Sequence, residues 1–279
     1  MTRYIALALV LLIAVSVCGF CGGFGSLEWL WILPVSALGG AVALAVLHFL
    51  VLWISCLCVD MEKPQQKDNR YFRFLTYYTA GQALKILRMR VHIKGLEKTP
   101  KNGRFLLVCN HLNDLDPVTL YHYFRKNQMI FISKRENSTM FIVGKLMHKL
   151  RCQLVNREND REALKTILEC IRMIKADEAS VAVFPEGYTS MDGLLHPFRS
   201  GVFKIALKTG VPIVVCTLQN TQKVFKNIKR LKATDVHLHL LDVLQPEDYA
   251  GMTAVDVANK VHAMMAQDLG PELVLQENP

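Results

Sequence analysis

The sequence predicts an α/β domain, a mixed sheet flanked by helices, preceded by an N-terminal transmembrane hairpin of two apolar helices. Three observations predict it. Residues 1–60 carry only three formally charged side chains, Arg3, Glu28 and Asp60. Beyond residue 90, short apolar runs alternate with amphipathic stretches of helical period, the pattern of a sheet covered by helices. The turns after four of those runs carry His111, Lys134, Arg157 and Glu186. Functional side chains of open α/β sheets gather at the carboxyl ends of strands.

Residues 4–27 contain 24 positions without a formal charge, and residues 29–59 contain 31. A span needs about 20 apolar residues, so both runs qualify. A Gly-rich, polar break at 23–28 separates them. The second run exceeds one span and contains Pro34 and Gly39-Gly40, so it is expected to tilt, kink or begin in the interface. Trp29, Trp31 and Trp53 suit interfacial belts. The first run also fits a cleaved signal peptide, with Arg3 before a short apolar core. Lys63, Lys67, Arg70 and Arg73 follow the second run, while the break between the runs has no Lys or Arg. The positive-inside rule then places 61–279 in the cytoplasm.

The formal charge of +9 and pI near 9.1 point to an anionic partner. Residues 61–279 hold 32 basic and 22 acidic residues. A basic domain behind an uncharged N-terminus favours a membrane surface. No zinc-finger, RNA-binding or Arg-rich signature supports nucleic acid. The eight cysteines (Cys18, Cys21, Cys56, Cys58, Cys109, Cys152, Cys170, Cys216) lie in apolar segments and read as small buried hydrophobes in a reducing compartment.

In order, residues 61–69 read as a polar linker and 70–90 as an aromatic, basic helix. That helix suits either the bilayer surface or the domain's own core. Strands are expected at 91–94, 104–109, 129–133, 153–156, 180–184, 212–218 and 236–243. Helices are expected at 117–125, 139–150, 160–175, 201–208 and 253–269. In the 160–175 helix, Leu164, Ile167, Leu168, Ile171 and Ile174 form the apolar face. His237 and His239 alternate onto one face of the last strand, expected to be exposed, and 276–279 form a loose tail.

The central stretch is Asn110-His111-Leu112-Asn113-Asp114-Leu115-Asp116-Pro117. His111 stands where a strand ends. Asp116 stands where a helix begins, with Pro117 a good first helical residue and Asp116 a good N-cap. Five residues of turn bring the imidazole back onto the carboxylate, which fixes its tautomer and makes it a better base. No Ser or Cys within the stretch is an obvious nucleophile, so the simplest chemistry is a His that takes a proton from a substrate hydroxyl. Lys134 and Arg157 follow strands and suit phosphate. There is no Walker A loop, no G-x-G-x-x-G and no metal-ligand spacing. His148 and His196 lack evident companions, and Asp192 reads as a turn residue.

His111-x-x-x-x-Asp116, followed by Phe184-Pro185-Glu186-Gly187, resembles the glycerolipid acyltransferase family, membrane enzymes that acylate lysophosphatidic acid. Leu154-Val155-Asn156-Arg157 looks like the family's second block, whose Arg is associated with the substrate phosphate. Lys134 matches a common lysine, and Val211-Pro212-Ile213-Val214 looks like the fourth block, an apolar wall near the site. The resemblance covers about residues 85–220. Many members continue Thr-Arg-Ser after the Gly, whereas this chain has Tyr188-Thr189-Ser190, so the block lacks its Arg. Arg199 is a candidate replacement charge.

The resemblance implies acyl transfer from an acyl thioester to the 2-hydroxyl of 1-acylglycerol-3-phosphate, giving phosphatidic acid in phospholipid biosynthesis at the cell membrane. His111 would be the base and Asp116 its orienter. Arg157, Lys134 and Arg199 would hold phosphate, Glu186 the glycerol, and Gly187 would allow close approach. No cofactor is implied beyond the co-substrate, acyl carrier protein or coenzyme A thioester. Two other readings stay open: another lysophospholipid or glycerol 3-phosphate as acceptor, and a non-catalytic lipid-binding protein. A thioesterase is a third.

Overall fold

In the computed structural model, which describes residues 2–156 and 159–275, the chain divides into two units, Met1–Asp60 and Met61–Pro279. Arg157 and the 276–279 tail lie outside the described residues.

The uncharged N-terminus forms helices α1 (Thr2–Phe20) and α2 (Trp29–Leu57), joined through a 3-10 turn at Gly23–Gly25. They pack side by side where their residues are small. Ala14 and Cys18 are buried, and Gly40 brings Ile13 of α1 close enough to touch any Cβ built there. The Ser36 hydroxyl donates to Ala14 O at 3.3 Å and to Ile32 O of its own helix at 2.7 Å. Among the described residues, Trp29–Leu57 is the one helix long and apolar enough to cross a membrane, and Tyr4–Phe20 is a shorter apolar helix. Helix α2 runs through Pro34 and Gly39-Gly40 as one element.

The second unit carries a seven-stranded mixed sheet in the order β1-β7-β6-β2-β5-β3-β4. The strands are β1 (Met89–Lys94), β2 (Leu106–Cys109), β3 (Met129–Lys134), β4 (Gln153–Val155), β5 (Ser180–Val183), β6 (Ile213–Gln219) and β7 (Thr234–Leu244). Strands β2 to β6 are mutually parallel; β7 is antiparallel to β6, and β1 parallel to β7. Strand β7 carries one extra residue opposite the Val215–Cys216 step. The central strands are apolar throughout because helices cover both their faces. Leu106 to Cys109 have no solvent exposure.

The helices are α3 (Arg70–Ile86), α4 (Asp116–Tyr123), α5 (Phe141–Lys149), α6 (Asp160–Lys175), α7 (Lys204–Thr209), α8 (Val224–Ile228) and α9 (Ala254–Leu269). One face of the sheet packs Leu106, Val108, Val181, Val183, Ile213 and Val215 against α6, α7 and α9. Alternation turns the intervening residues towards the opposite face, where Tyr121 of α4 meets Phe131 edge-on at 4.7 Å.

Several boundaries shift for local reasons. Helix α3 ends at Ile86 rather than Arg90, because Arg88 takes φ 52° and turns the chain into β1. The 139–150 and 201–208 helices each begin as 3-10 turns, Arg135–Thr139 and Ser200–Phe203. Thr253 and Asp256 form a reciprocal cap at the start of α9. In α6 the buried stripe is Ile167, Cys170, Ile171 and Ile174, whereas Leu164 and Leu168 face solvent. His237 is exposed, but His239 is half-buried and its Nδ1 lies 2.6 Å from Asp268 Oδ1. No disulfide joins any of the eight cysteines, and Cys21 and Cys58 are exposed rather than buried.

The helix at 70–90 suited either the bilayer surface or the domain's own core, and Arg73 takes the second. It is buried against the domain, not a free charge at a membrane surface. Its guanidinium forks onto Asp68, with Nε to Oδ2 at 2.7 Å and Nη2 to Oδ1 at 2.6 Å, and Nη1 donates to Met129 O at 2.9 Å. Burial works against the charge, but Asp68 and Tyr77 outweigh it and raise the pKa. Replacing Arg73 by Met leaves the Asp68 carboxylate unpaired and half-buried. We expect Arg73→Met to lower the unfolding free energy of the full chain in detergent by about 3 kcal/mol. A loss under about 1 kcal/mol in denaturant titration would contradict this role.

Candidate active site

The site begins where β2 leaves the sheet. Asn110 is 1 % exposed, and its side chain pairs with β6 as a backbone unit would: Nδ2 donates to Leu218 O at 2.9 Å, and Leu218 N donates to Oδ1 at 2.7 Å. This holds the chain against β6 as it turns. Residues 111–115 then curl back over the first residue of α4. Asp116 Oδ2 accepts three N–H bonds, from Leu112 N at 2.6 Å, Asn113 N at 2.8 Å and His111 Nδ1 at 2.9 Å. Asp116 has no solvent exposure.

The expectation that Asp116 caps α4 is corrected. The N-cap position belongs to Leu115, which makes no side-chain bond, and the carboxylate serves the turn before the helix. Its place at a helix N-terminus still favours the negative charge. With Nδ1–H donated to Asp116, His111 Nε2 keeps its lone pair. That atom lies 3.2 Å from the hydroxyl oxygen of Thr189. The imidazole plane is set by stacking on Phe184 at 4.2 Å and 17°, and Phe184 stacks in turn on Phe131 at 5.7 Å.

Glu186 follows β5, the strand beside β2. It is 1 % exposed, and both of its oxygens accept hydrogen bonds. Oε1 accepts His111 N at 2.7 Å, while Oε2 accepts the Ser190 hydroxyl and His196 N. Ser190 N donates to His111 O at 2.7 Å. Burial pushes the carboxyl pKa up, and the bonds from Ser190, His111 N and His196 N only partly oppose it. Glu186 was expected to meet a glycerol hydroxyl; in the structure its oxygens bind the protein's own loops.

Gly187 has φ +84°, a conformation that favours glycine. The side chain of Arg199 fills the space a Cβ would need, with Nε 2.8 Å and Cδ 2.9 Å from that point. Arg199 N also donates to Pro185 O at 2.8 Å. The structure thus lays Arg199 along the 184–187 turn, exposed and without an ion pair among the described residues. Lys134 is exposed at the carboxyl end of β3, the strand next to β5. Arg157 follows β4, which ends on the same side of the sheet, but lies itself outside the described residues.

The fourth block is not near this rim. Ile213 pairs with Leu106 at the amino end of β2, so 211–214 lie at the opposite end of the sheet from His111. The structure also gives His196 the companions it was expected to lack, one of them Asp192, which had read as a turn residue. His196 Nε2 lies 2.8 Å from Asp192 Oδ2, and His196 Nδ1 2.7 Å from the Tyr188 hydroxyl. Burial works to raise the Asp192 pKa, but Leu194 N–H and His196 outweigh it and hold the group below its usual range. His148 Nε2 lies 3.0 Å from Lys63 O. Cys109, one residue from Asn110, is fully buried, and that burial keeps its thiol protonated.

Sequence reasoning missed Thr189, Ser190 and the Phe131–Phe184 stack. The available signal was the departure at Tyr188-Thr189, which marked a loop whose partner was unknown until it folded onto His111. Among the described residues, no group of three or more His, Cys, Asp or Glu is placed to hold a metal ion.

A family model described as Acyltransferase matches residues 90–219. A chloroplastic 1-acyl-sn-glycerol-3-phosphate acyltransferase of Brassica napus is 36% identical over 48% of this chain and 39% of its own length. One from Cocos nucifera is 24% identical over 87% of this chain and 78% of its own. One from Salmonella typhimurium is 26% identical over 68% and 76%. The chain thus spans about two fifths of the Brassica protein and about three quarters of the other two. The crystal structure of the 1-acyl-sn-glycerophosphate acyltransferase of Thermotoga maritima superposes with a TM-score of 0.60 at 18% identity, covering 99% of this chain and 100% of that one, and it shows a shared fold. The His111–Asp116 pair and the Phe184-Pro185-Glu186-Gly187 turn, brought to one rim, both lie within residues 90–219, the segment similar to the Acyltransferase family.

Proposed function

We propose that this chain is a membrane-bound acyltransferase that moves a fatty acyl group from an acyl thioester to the 2-hydroxyl of 1-acylglycerol-3-phosphate, forming phosphatidic acid. The observation that carries the reading is the His111 imidazole, fixed through Nδ1 on a fully buried carboxylate, with Nε2 facing a hydroxyl at 3.2 Å. A substrate hydroxyl in place of that of Thr189 loses its proton to Nε2 as its oxygen attacks the thioester carbonyl. Asp116 stabilises the imidazolium that forms. The thiolate then leaves and takes the proton.

Arg199 and Lys134, with Arg157 beyond β4, are the cations that hold the phosphate. Glu186 is a positioning residue: it ties His111 N to the loop that carries Thr189 and His196. Helices α1 and α2 form a transmembrane hairpin, and the basic 61–279 domain faces the cytoplasmic side of the cell membrane. That arrangement keeps the acyl chains of lysophosphatidate and membrane phospholipids at the bilayer while the rim works in water. The donor is acyl carrier protein or acyl-coenzyme A. Tyr188-Thr189 in place of Thr-Arg favours a second reading, in which another lysophospholipid or glycerol 3-phosphate is the acceptor.

Acyl transfer in detergent micelles tests both readings. With 1-acylglycerol-3-phosphate and either donor, the wild type should form phosphatidic acid. His111→Ala, folded by thermal melt, should lose about a hundredfold or more, the share supplied by a positioned base. Turnover that survived the substitution would remove His111 from the mechanism. Lipid affinity without turnover in the wild type would favour a binding protein.

Glu186 has a pH signature. Its folded pKa is raised above the ordinary 4.5 by burial. Below pH 4.5 the carboxyl is protonated in folded and unfolded chains alike. As pH rises through the folded value, the unfolded chain ionises more readily and this contribution to stability is lost. The difference in unfolding free energy between wild type and Glu186→Gln should therefore shift against the wild type as pH rises across that window. A difference independent of pH would contradict the buried, destabilised carboxylate.

A further inference from the structure

Asp116, His111 and Thr189 stand in the relation of a hydrolase triad. The buried carboxylate meets Nδ1 at 2.9 Å, and Nε2 meets a hydroxyl at 3.2 Å. This relation is recognised by geometry and roles, independent of sequence order. The Thr189 hydroxyl is not there by a loose swing of its loop. Its neighbour Ser190 is fastened to the His111 segment, by Ser190 N to His111 O at 2.7 Å and through Glu186, which accepts both the Ser190 hydroxyl and His111 N. Thr189 O also accepts Met191 N at 3.1 Å, and Gly187 supplies the positive φ that starts the turn. The neighbouring Ser190 hydroxyl is buried and given to Glu186, and burial raises the pKa of the Cys109 thiol.

We propose that Thr189 is a nucleophile, and that it gives the chain a second, acceptor-independent activity: thioester hydrolysis through an O-acyl-Thr189 intermediate. The proposal rests on the same base, His111, as the transfer reaction above. In the first step Oγ1 of Thr189 bonds to the thioester carbonyl carbon and its proton passes to Nε2. The C–S bond breaks, and the leaving thiolate takes that proton. In the second step a water gives its proton to Nε2 and bonds to the same carbon. The C–Oγ1 bond breaks, Thr189 recovers the proton, and a fatty acid leaves. An acceptor hydroxyl that occupies Nε2 displaces Thr189, so hydrolysis is the reaction of the donor-loaded chain without acceptor.

The test uses the full chain in detergent micelles with palmitoyl-coenzyme A and, in parallel, palmitoyl-acyl carrier protein, without acceptor. Acid-quenched samples are read by intact mass and peptide mapping, and fatty acid release is followed in time. The wild type and Thr189→Ser should show a palmitoyl adduct on residue 189, labile to alkaline hydroxylamine, and release palmitate. Thr189→Val, matched in size and melting temperature, should lose the adduct, and its hydrolysis should fall by about a hundredfold. Hydrolysis that persists in Thr189→Val, or no adduct with either donor, overturns the proposal. Transfer to 1-acylglycerol-3-phosphate is assayed beside it. Transfer without an adduct overturns the nucleophile and leaves the transferase; adduct and hydrolysis without transfer support the nucleophile and remove that acceptor.

Discussion

The candidate active site depends on one buried carboxylate oxygen. Asp116 Oδ2 gathers two backbone N–H groups and the His111 Nδ1–H at 2.6 to 2.9 Å, with no solvent contact. A charge in that position is tolerated because donors and a helix N-terminus surround it. The same three bonds shape the 111–115 turn and choose the imidazole tautomer. Turn geometry and reactivity are therefore one constraint. A substitution that keeps the fold of α4 but removes the oxygen would release both.

A second buried carboxylate, Glu186, extends that constraint across the sheet. It joins the exit of β2 to the loop after β5 through His111 N, Ser190 and His196 N. Parallel pairing of β2 with β5 places the two exits side by side. The aromatic stack of Phe131 and Phe184 then fixes the ring plane of His111 from the neighbouring strands. Three elements distant in sequence thus converge on one imidazole. The exposed cation Arg199 is laid along Gly187.

Much of this was legible in the residues. Each of the seven strands was expected, because apolar runs such as 104–109 and 180–184 are short, β-branched-rich or bounded by turns. The His111–Asp116 pair was legible because five residues between a strand and a helix leave few other conformations. Long-range partners were not. The three donors to Glu186, contributed by residues 111, 190 and 196, could not be read from its own segment. Thr189 has no local pattern, since its partner lies 78 positions away. The 211–214 segment was misplaced because an apolar run does not say which end of its strand faces the site; only the register of β6 on β2 does. Leu164 and Leu168 fit the period of α6, but the sheet selects a face centred on Cys170 and Ile171.

Asp116 holds His111 as the Nδ1–H tautomer, leaving Nε2 free to take a proton. Nuclear magnetic resonance on protein with isotopically labelled histidine nitrogens measures this directly, with His111→Gln to assign the signal. Nδ1 should be protonated, with a downfield, solvent-protected proton, and Nε2 should carry none near neutral pH. That proton should lose its downfield position in Asp116→Asn. A His111 protonated at Nε2 instead, or unchanged by the loss of the Asp116 carboxylate, would contradict it.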